Sequence, residues 1–218
     1  MQEVCSVVQE PLERMFGPSL PRTSFSLEIE GGPDQPATPR LDTSFGGLEF
    51  RLDPLGSVLL FDLEGVIVKF VAPYPGREKL IGTMQDVLSV ISDSGYHPPA
   101  KRVSIALVST IFLEGAYRIE DYIIPRFELA GDELSTFVSF RHEVVVSLQE
   151  FKPEVVARIV VATAEEGRRG IDTKIDVLDM SETSLVEVPG RLKTVKDLES
   201  HIFESTITDN TRRIYGEL

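Results

Sequence analysis

Cysteine occurs once in the 218 residues, histidine three times, and lysine plus arginine only 22 times against 35 aspartates and glutamates. Each scarcity closes off a class of chemistry. A lone Cys5 permits no intrachain disulfide, and a cysteine-based zinc site cannot be built within one chain. The formal charge of −13 and a pI near 4.7 make the surface acidic. That disfavours attraction to phosphate backbones and anionic membranes, so neither nucleic acid nor a membrane is an expected partner. Basic residues form no tail; Arg168-Arg169 and Arg212-Arg213 are isolated pairs. No apolar run is long enough to cross a bilayer as a helix. The opening MQEVCSVVQEPLERMFG lacks the basic-then-apolar order of a secretory signal. The expected setting is a reducing cytoplasm.

Catalytic signatures are missing too. There is no Gly-x-Ser-x-Gly elbow, no Gly-x-x-x-x-Gly-Lys-Ser/Thr phosphate loop and no Gly-x-Gly-x-x-Gly after a strand. No cofactor is implied. Enzymatic activity is left open, with the balance against it.

What is present is patterning. Val4, Val7, Val8, Leu12, Met15 and Phe16 suit a short helix that Pro11 should break. TSFSLEIEG alternates in the manner of a half-buried strand. Residues 31–44, GGPDQPATPRLDTS, read as a flexible loop. LEFRLDP, SVLLFDL and VIVKFVA then form a meander, with Glu64-Gly65 as a hairpin connection. Leu80, Ile81, Met84, Val87, Leu88 and Ile91 recur at helical spacing between Pro75 and Gly95.

The second half repeats the order of elements. RVSIALVSTIFLE, STFVSFRHEVVVSLQEF, EVVARIVVATAE and IDTKIDVLDM read as strands. Lys152-Pro153 and EEGRRG mark two of the turns. TVKDLESHIFEST reads as an amphipathic helix on Val195, Leu198, Ile202 and Phe203, with Thr194 and Asp197 at capping-box spacing. In HIFESTITDN, His201 and Glu204 fall to the polar flank, while Thr208 is placed to cap a last turn. The expected fold is α+β: antiparallel sheets built from strand meanders, each followed by an amphipathic helix, with a two-half pseudo-repeat in view. One domain spans 1–218, with 45–98 and 99–218 as candidate halves.

The segments YPGREKL (74–80), RVSIALVSTI (102–111), IDTKIDV (171–177) and FESTITD (203–209) occur in an order that resembles a sporadically distributed family of uncharacterised bacterial proteins. The resemblance covers about residues 57 to 216 and is carried by motif order rather than by one diagnostic motif. It implies an α+β fold ending in Phe-x-x-x-Ile-Thr-Asp, and no established activity. This chain departs from the family pattern at Arg77, Leu80, Ala106, Leu107 and Ser109, which stand where Trp, Phe, Arg, Tyr and Asn are expected. A family function resting on those side chains would be lost.

Few side chains invite a chemical role. His142, on a face with Val138, Phe140, Val144, Val146 and Leu148, has the makings of a general base, against the commoner reading as a core or sheet-edge histidine. Arg102 and Arg158 lie in apolar strands and need a carboxylate partner or solvent. Arg168 and Arg169, in EEGRRG, stand at a charged hairpin tip suited to outside contacts. Asp172 and Asp176 share a strand face with Lys174, the solvated side of an ordinary strand rather than a metal site. Arg102, His142, Arg158, Arg168 and Arg169 are the candidate ligand or partner contacts. The expected function is a non-enzymatic accessory protein acting on a protein partner or as a homodimer. The alternative is an enzyme or small-ligand binder with a pocket between sheet and helix.

Overall fold

The computed structural model describes residues 2–30, 38–62, 65–72, 74–113, 121–123, 141–147, 154–163 and 170–216. Its fold is α+β, with four helices and two four-stranded antiparallel sheets among the described residues. Contacts group the chain into two compact units, Met1–Pro98 and Pro99–Leu218. The expected Glu64-Gly65, Lys152-Pro153 and EEGRRG turns fall wholly or partly outside the described residues, though the strands they join pair as antiparallel neighbours.

The first unit begins with α1 (Gln2–Phe16), followed by β1 (Ser19–Glu30), β2 (Thr38–Arg51), β3 (Val58–Asp62), β4 (Val66–Lys69) and α2 (Arg77–Asp93). Its sheet runs in chain order, β1-β2-β3-β4. Leu48 pairs with Phe61 and Phe50 with Leu59, which puts four large buried side chains on one face. Helix α1 supplies Cys5, Val8 and Leu12, also buried, and the Phe16 ring meets Phe50 edge-on at 6.4 Å between centroids. That packing explains a departure from the sequence reading. Pro11 does not break α1; it sits exposed inside a continuous helix. A proline removes one backbone bond, but the buried stripe at 5, 8 and 12 holds the turns on either side. Val7 and Met15, expected in that stripe, are instead exposed.

A second departure concerns the loop expected over 31–44. Residues 38–44 lie in β2, paired with β1 from Thr38↔Glu30 onward. Backbone pairing to a long neighbouring strand outweighs the weak strand preference of this polar, proline-bearing stretch. Helix α2 ends as its sequence predicts. Gly95 takes φ 80 and its amide reaches the Ser92 carbonyl at 3.0 Å, a conformation open to glycine without strain.

The second unit contains β5 (Val103–Phe112), β6 (Arg141–Ser147), β7 (Val155–Thr163), β8 (Gly170–Asp179), α3 (Val188–Thr206) and α4 (Asp209–Tyr215). Strands β6, β7 and β8 form a meander, and β5 closes against β8, giving the order β5-β8-β7-β6. On β8 the residues alternate. Ile171, Thr173, Ile175, Val177 and Asp179 are buried, while Asp172, Lys174 and Asp176 are not. Helix α3 packs on β5 and β8. It buries Val188, Leu192, Val195, Leu198, Glu199 and Thr206.

Helix α3 starts at Val188, well before the Val195 that a Thr194 cap required. Pro189 lies in its first turn, where the missing amide costs nothing, and Thr194 is mid-helix with its hydroxyl donating to the Gly190 carbonyl at 3.2 Å. Between α3 and α4 the chain turns through Ile207 and Thr208. Ile207 is buried and bridges to Ile123. It belongs to a cluster with Ile111, Leu113, Ile123, Val161 and Ile171, against which Phe203 packs.

Thr208 does precede α4, but its hydroxyl does not cap the helix amides. It donates to the Asp121 carbonyl at 2.5 Å, and Asn210 Nδ2 reaches the same oxygen at 3.2 Å. Thr211, fully buried, donates to the Tyr122 carbonyl at 2.6 Å, and the Thr208 amide donates to that oxygen at 3.1 Å. The corner is therefore a clasp on residues 121–123. Thr208→Ala should cost about 1 kcal/mol through the lost bond, measured by urea denaturation. An unchanged midpoint would show that the clasp does not depend on this hydroxyl.

Candidate functional site

An antiparallel sheet places paired residues on the same face, and alternate residues of one strand on opposite faces. Arg158 pairs with Asp176 of β8 and with Val145 of β6, so its side chain shares a face with Asp172, Lys174 and Glu143. That is the face turned away from α3. His142 pairs with Val161, which pairs with Thr173, and so lies half-buried on the α3 side. Arg102 is exposed, one residue ahead of β5. The structure thus separates Arg102, His142 and Arg158 instead of gathering them. Arg168 and Arg169 lie outside the described residues, as do Val138, Phe140 and Leu148.

The face carrying Arg158 is a ladder of charged and polar side chains, paired within strands and across them. Arg158 Nε donates to Glu143 Oε1 at 2.7 Å, and Arg141 Nη2 lies 3.6 Å from the other Glu143 oxygen. Lys174 Nζ is 3.1 Å from Asp176 Oδ2. Thr110 donates to Asp172 at 2.6 Å. The hydrogen bond from Arg158 holds the Glu143 carboxyl below its ordinary value of 4.5, helped by the charges of Arg158 and Arg141. The Glu143 hydrogen bond and charge in turn push the Arg158 guanidinium upward, with Asp176 adding to the effect. Both side chains are well exposed, so this is a surface pair of small energetic weight.

The sign of its pH dependence is nonetheless definite. A carboxyl depressed in the folded state contributes above its unfolded value near 4.5 and loses that contribution as pH falls through the folded value. In an NMR titration Glu143 is expected to have its midpoint below 4.5. Arg158→Gln should move that midpoint upward. An unmoved midpoint would show that the arginine is not the cause.

The ladder ends at β6, which among the described residues pairs only with β7. No residue of β6 is buried. Val145 on one face is 63% exposed and Val146 on the other 39%. On β5, the outer strand at the opposite side of the sheet, Val108 and Phe112 are exposed.

Sequence reasoning passed over one residue of note. Glu199 is fully buried, at the position four after Val195 and seven after Leu192 in the stripe that α3 lays on the sheet. Its Oε2 accepts from Lys196 Nζ and, at 3.5 Å, from Ser200 Oγ. Its Oε1 has no hydrogen-bond partner among the described residues. The signal was available: a carboxylate at a core position of a helical stripe, with a lysine three residues before it. At the other end of α3, Arg191 Nη1 lies 3.4 Å from Asp179 Oδ2, and buried Asp179 also accepts from the Ser181 amide at 3.0 Å. Asp179 is thereby a helix anchor. Among the described residues no three His, Cys, Asp or Glu are gathered as metal donors, and no helix is long and apolar enough to cross a membrane.

The geometry thus offers a mixed-charge sheet face, an outer strand with exposed valines, and a buried acid beneath a helix. No family model, curated protein or solved structure matches this chain.

Proposed function

We propose that this chain is a non-enzymatic accessory protein of the cytoplasm that works through protein contacts, taking an extended segment of a partner, or of a second copy, along the outer side of β6. One observation carries the reading: among the described residues β6 is an outer strand with no buried residue and with Val145 and Val146 exposed on opposite faces. An added strand gains main-chain hydrogen bonds along such an edge and covers both valines. The neighbouring Arg141, Glu143 and Arg158 set the register through charge.

Kinship with the sporadically distributed bacterial family is part of this proposal. Its support is the order of the four matching segments, of which the last, Phe203 to Asp209, lies at the α3–α4 corner. The alternative, an enzyme or small-ligand binder, would draw support from two or more of Arg102, His142 and Arg158 in one pocket; the register of β6 and β7 puts His142 and Arg158 on opposite faces.

Val145→Lys tests the proposal, because a charge on an exposed edge opposes strand addition while leaving the sheet intact. Sedimentation velocity across a wide concentration range is expected to show self-association that the variant weakens roughly tenfold, about 1.4 kcal/mol. A wild-type chain that stays monomeric at high concentration, and recovers no partner by affinity capture, would refute it.

A further inference from the structure

We propose that Glu199 and Thr173 hold one buried water between α3 and β8. These two side chains carry the buried polar atoms without a hydrogen-bond partner among the described residues, Glu199 Oε1 and Thr173 Oγ1. Glu199 is 0% exposed and Thr173 1%. Buried polar groups are nearly always partnered, by protein or by ordered water, so two orphans in one helix–sheet layer call for a shared explanation.

Their placement supplies it. Helix α3 runs opposite in direction to β8 and is tied to it at two levels. Arg191 reaches Asp179 near one end, and Phe203 packs on the cluster containing Ile171 near the other. Glu199 lies roughly two-thirds of the way along the helix between those ties, and the same fraction of β8 falls at residues 173 and 174. Of these, Thr173 is buried on the α3 side while Lys174 is exposed on the other face. The carboxylate and the hydroxyl thus stand level with one another beneath the helix.

Their chemistry is complementary through a third atom. An ionised carboxylate oxygen only accepts, whereas a threonine hydroxyl donates once and also accepts. Neither bonds the other directly. A water donating to Glu199 Oε1 and exchanging a bond with Thr173 Oγ1 satisfies both, with Lys196 occupying the second carboxylate oxygen. A metal cation is disfavoured there, because the Lys196 ammonium already neutralises the single carboxylate.

The test is a crystal structure of the full chain at a resolution that shows ordered water, with Thr173→Val alongside. The wild type should show one density peak at about 2.6–3.2 Å from both atoms. The variant should lose that peak and keep the Lys196–Glu199 pair. No peak in the wild type, a direct Thr173–Glu199 bond, or a peak retained in Thr173→Val would each overturn the proposal. Should the variant not fold, the wild-type density decides.

Discussion

Replacing Lys196 with methionine is expected to lower the unfolding free energy by about 3–5 kcal/mol, read from urea denaturation. Lys196 and Glu199 form an ion pair whose side chains are 13% and 0% exposed. Removing the ammonium strands a carboxylate in the layer between α3 and the sheet, out of reach of bulk solvent. The methionine keeps most of the aliphatic stem, so the loss reports charge rather than packing. The double variant Lys196→Met, Glu199→Leu supplies the contrast. It removes both charges, places an apolar side chain within the stripe of Leu192 and Val195, and should return stability to at least the wild-type level. If the single variant costs less than about 1 kcal/mol, the pair does not hold α3 in place.

The second large effect is expected at Gly170. It opens β8 opposite Phe112, and a β-carbon built there would lie 2.3 Å from the Ile111 carbonyl oxygen and 3.2 Å from its carbon. The obstacle is backbone, which cannot swing aside like the end of a flexible side chain. Gly170→Ala must therefore part β5 from β8 at the end of the ladder next to Ile111 and Ile171, both in the apolar cluster. A loss of about 1–3 kcal/mol is expected from such crowding. Gly82→Ala in α2 is the control, since nothing lies within 4 Å of the added carbon. That change should stabilise by about 1 kcal/mol, from helix preference alone. Thermal denaturation followed by circular dichroism should move the two variants in opposite directions. A neutral Gly170→Ala would show that the two strands do not approach as closely as the geometry states.

Several elements were legible in the chain itself. Helix α2 was marked by its apolar spacing and by Gly95, and the structure places its end there. On β8 the alternation of Ile171, Thr173, Ile175 and Val177 against Asp172, Lys174 and Asp176 announced which side would be buried. Helical register places His201 and Glu204 toward solvent, and both are exposed. Local pattern failed where a distant partner decides. Residues 38–44 look like a loop until β1 is beside them. Pro11 looks like a break until Phe50 and its neighbours hold α1 together. Thr208 looks like a helix cap until the Asp121 carbonyl takes its hydroxyl.

The candidate site was the least legible part, for the same reason. Sequence named Arg102, His142 and Arg158 one by one, but their relation depends on the register of β6 against β7. That register pairs Arg158 with Val145 and His142 with Val161, putting the two candidates on opposite faces. By itself the sequence determined the α+β class, the acidic composition, and the buried faces of β5, β8 and much of α3, because these follow from composition and from periods of two and 3.6 residues. The tertiary structure alone decided the strand order β5-β8-β7-β6, the exposure of β6, the clasp on residues 121–123 and the burial of Glu199. Each of these depends on groups far apart in the chain meeting at one place, and local periodicity carries no record of such meetings.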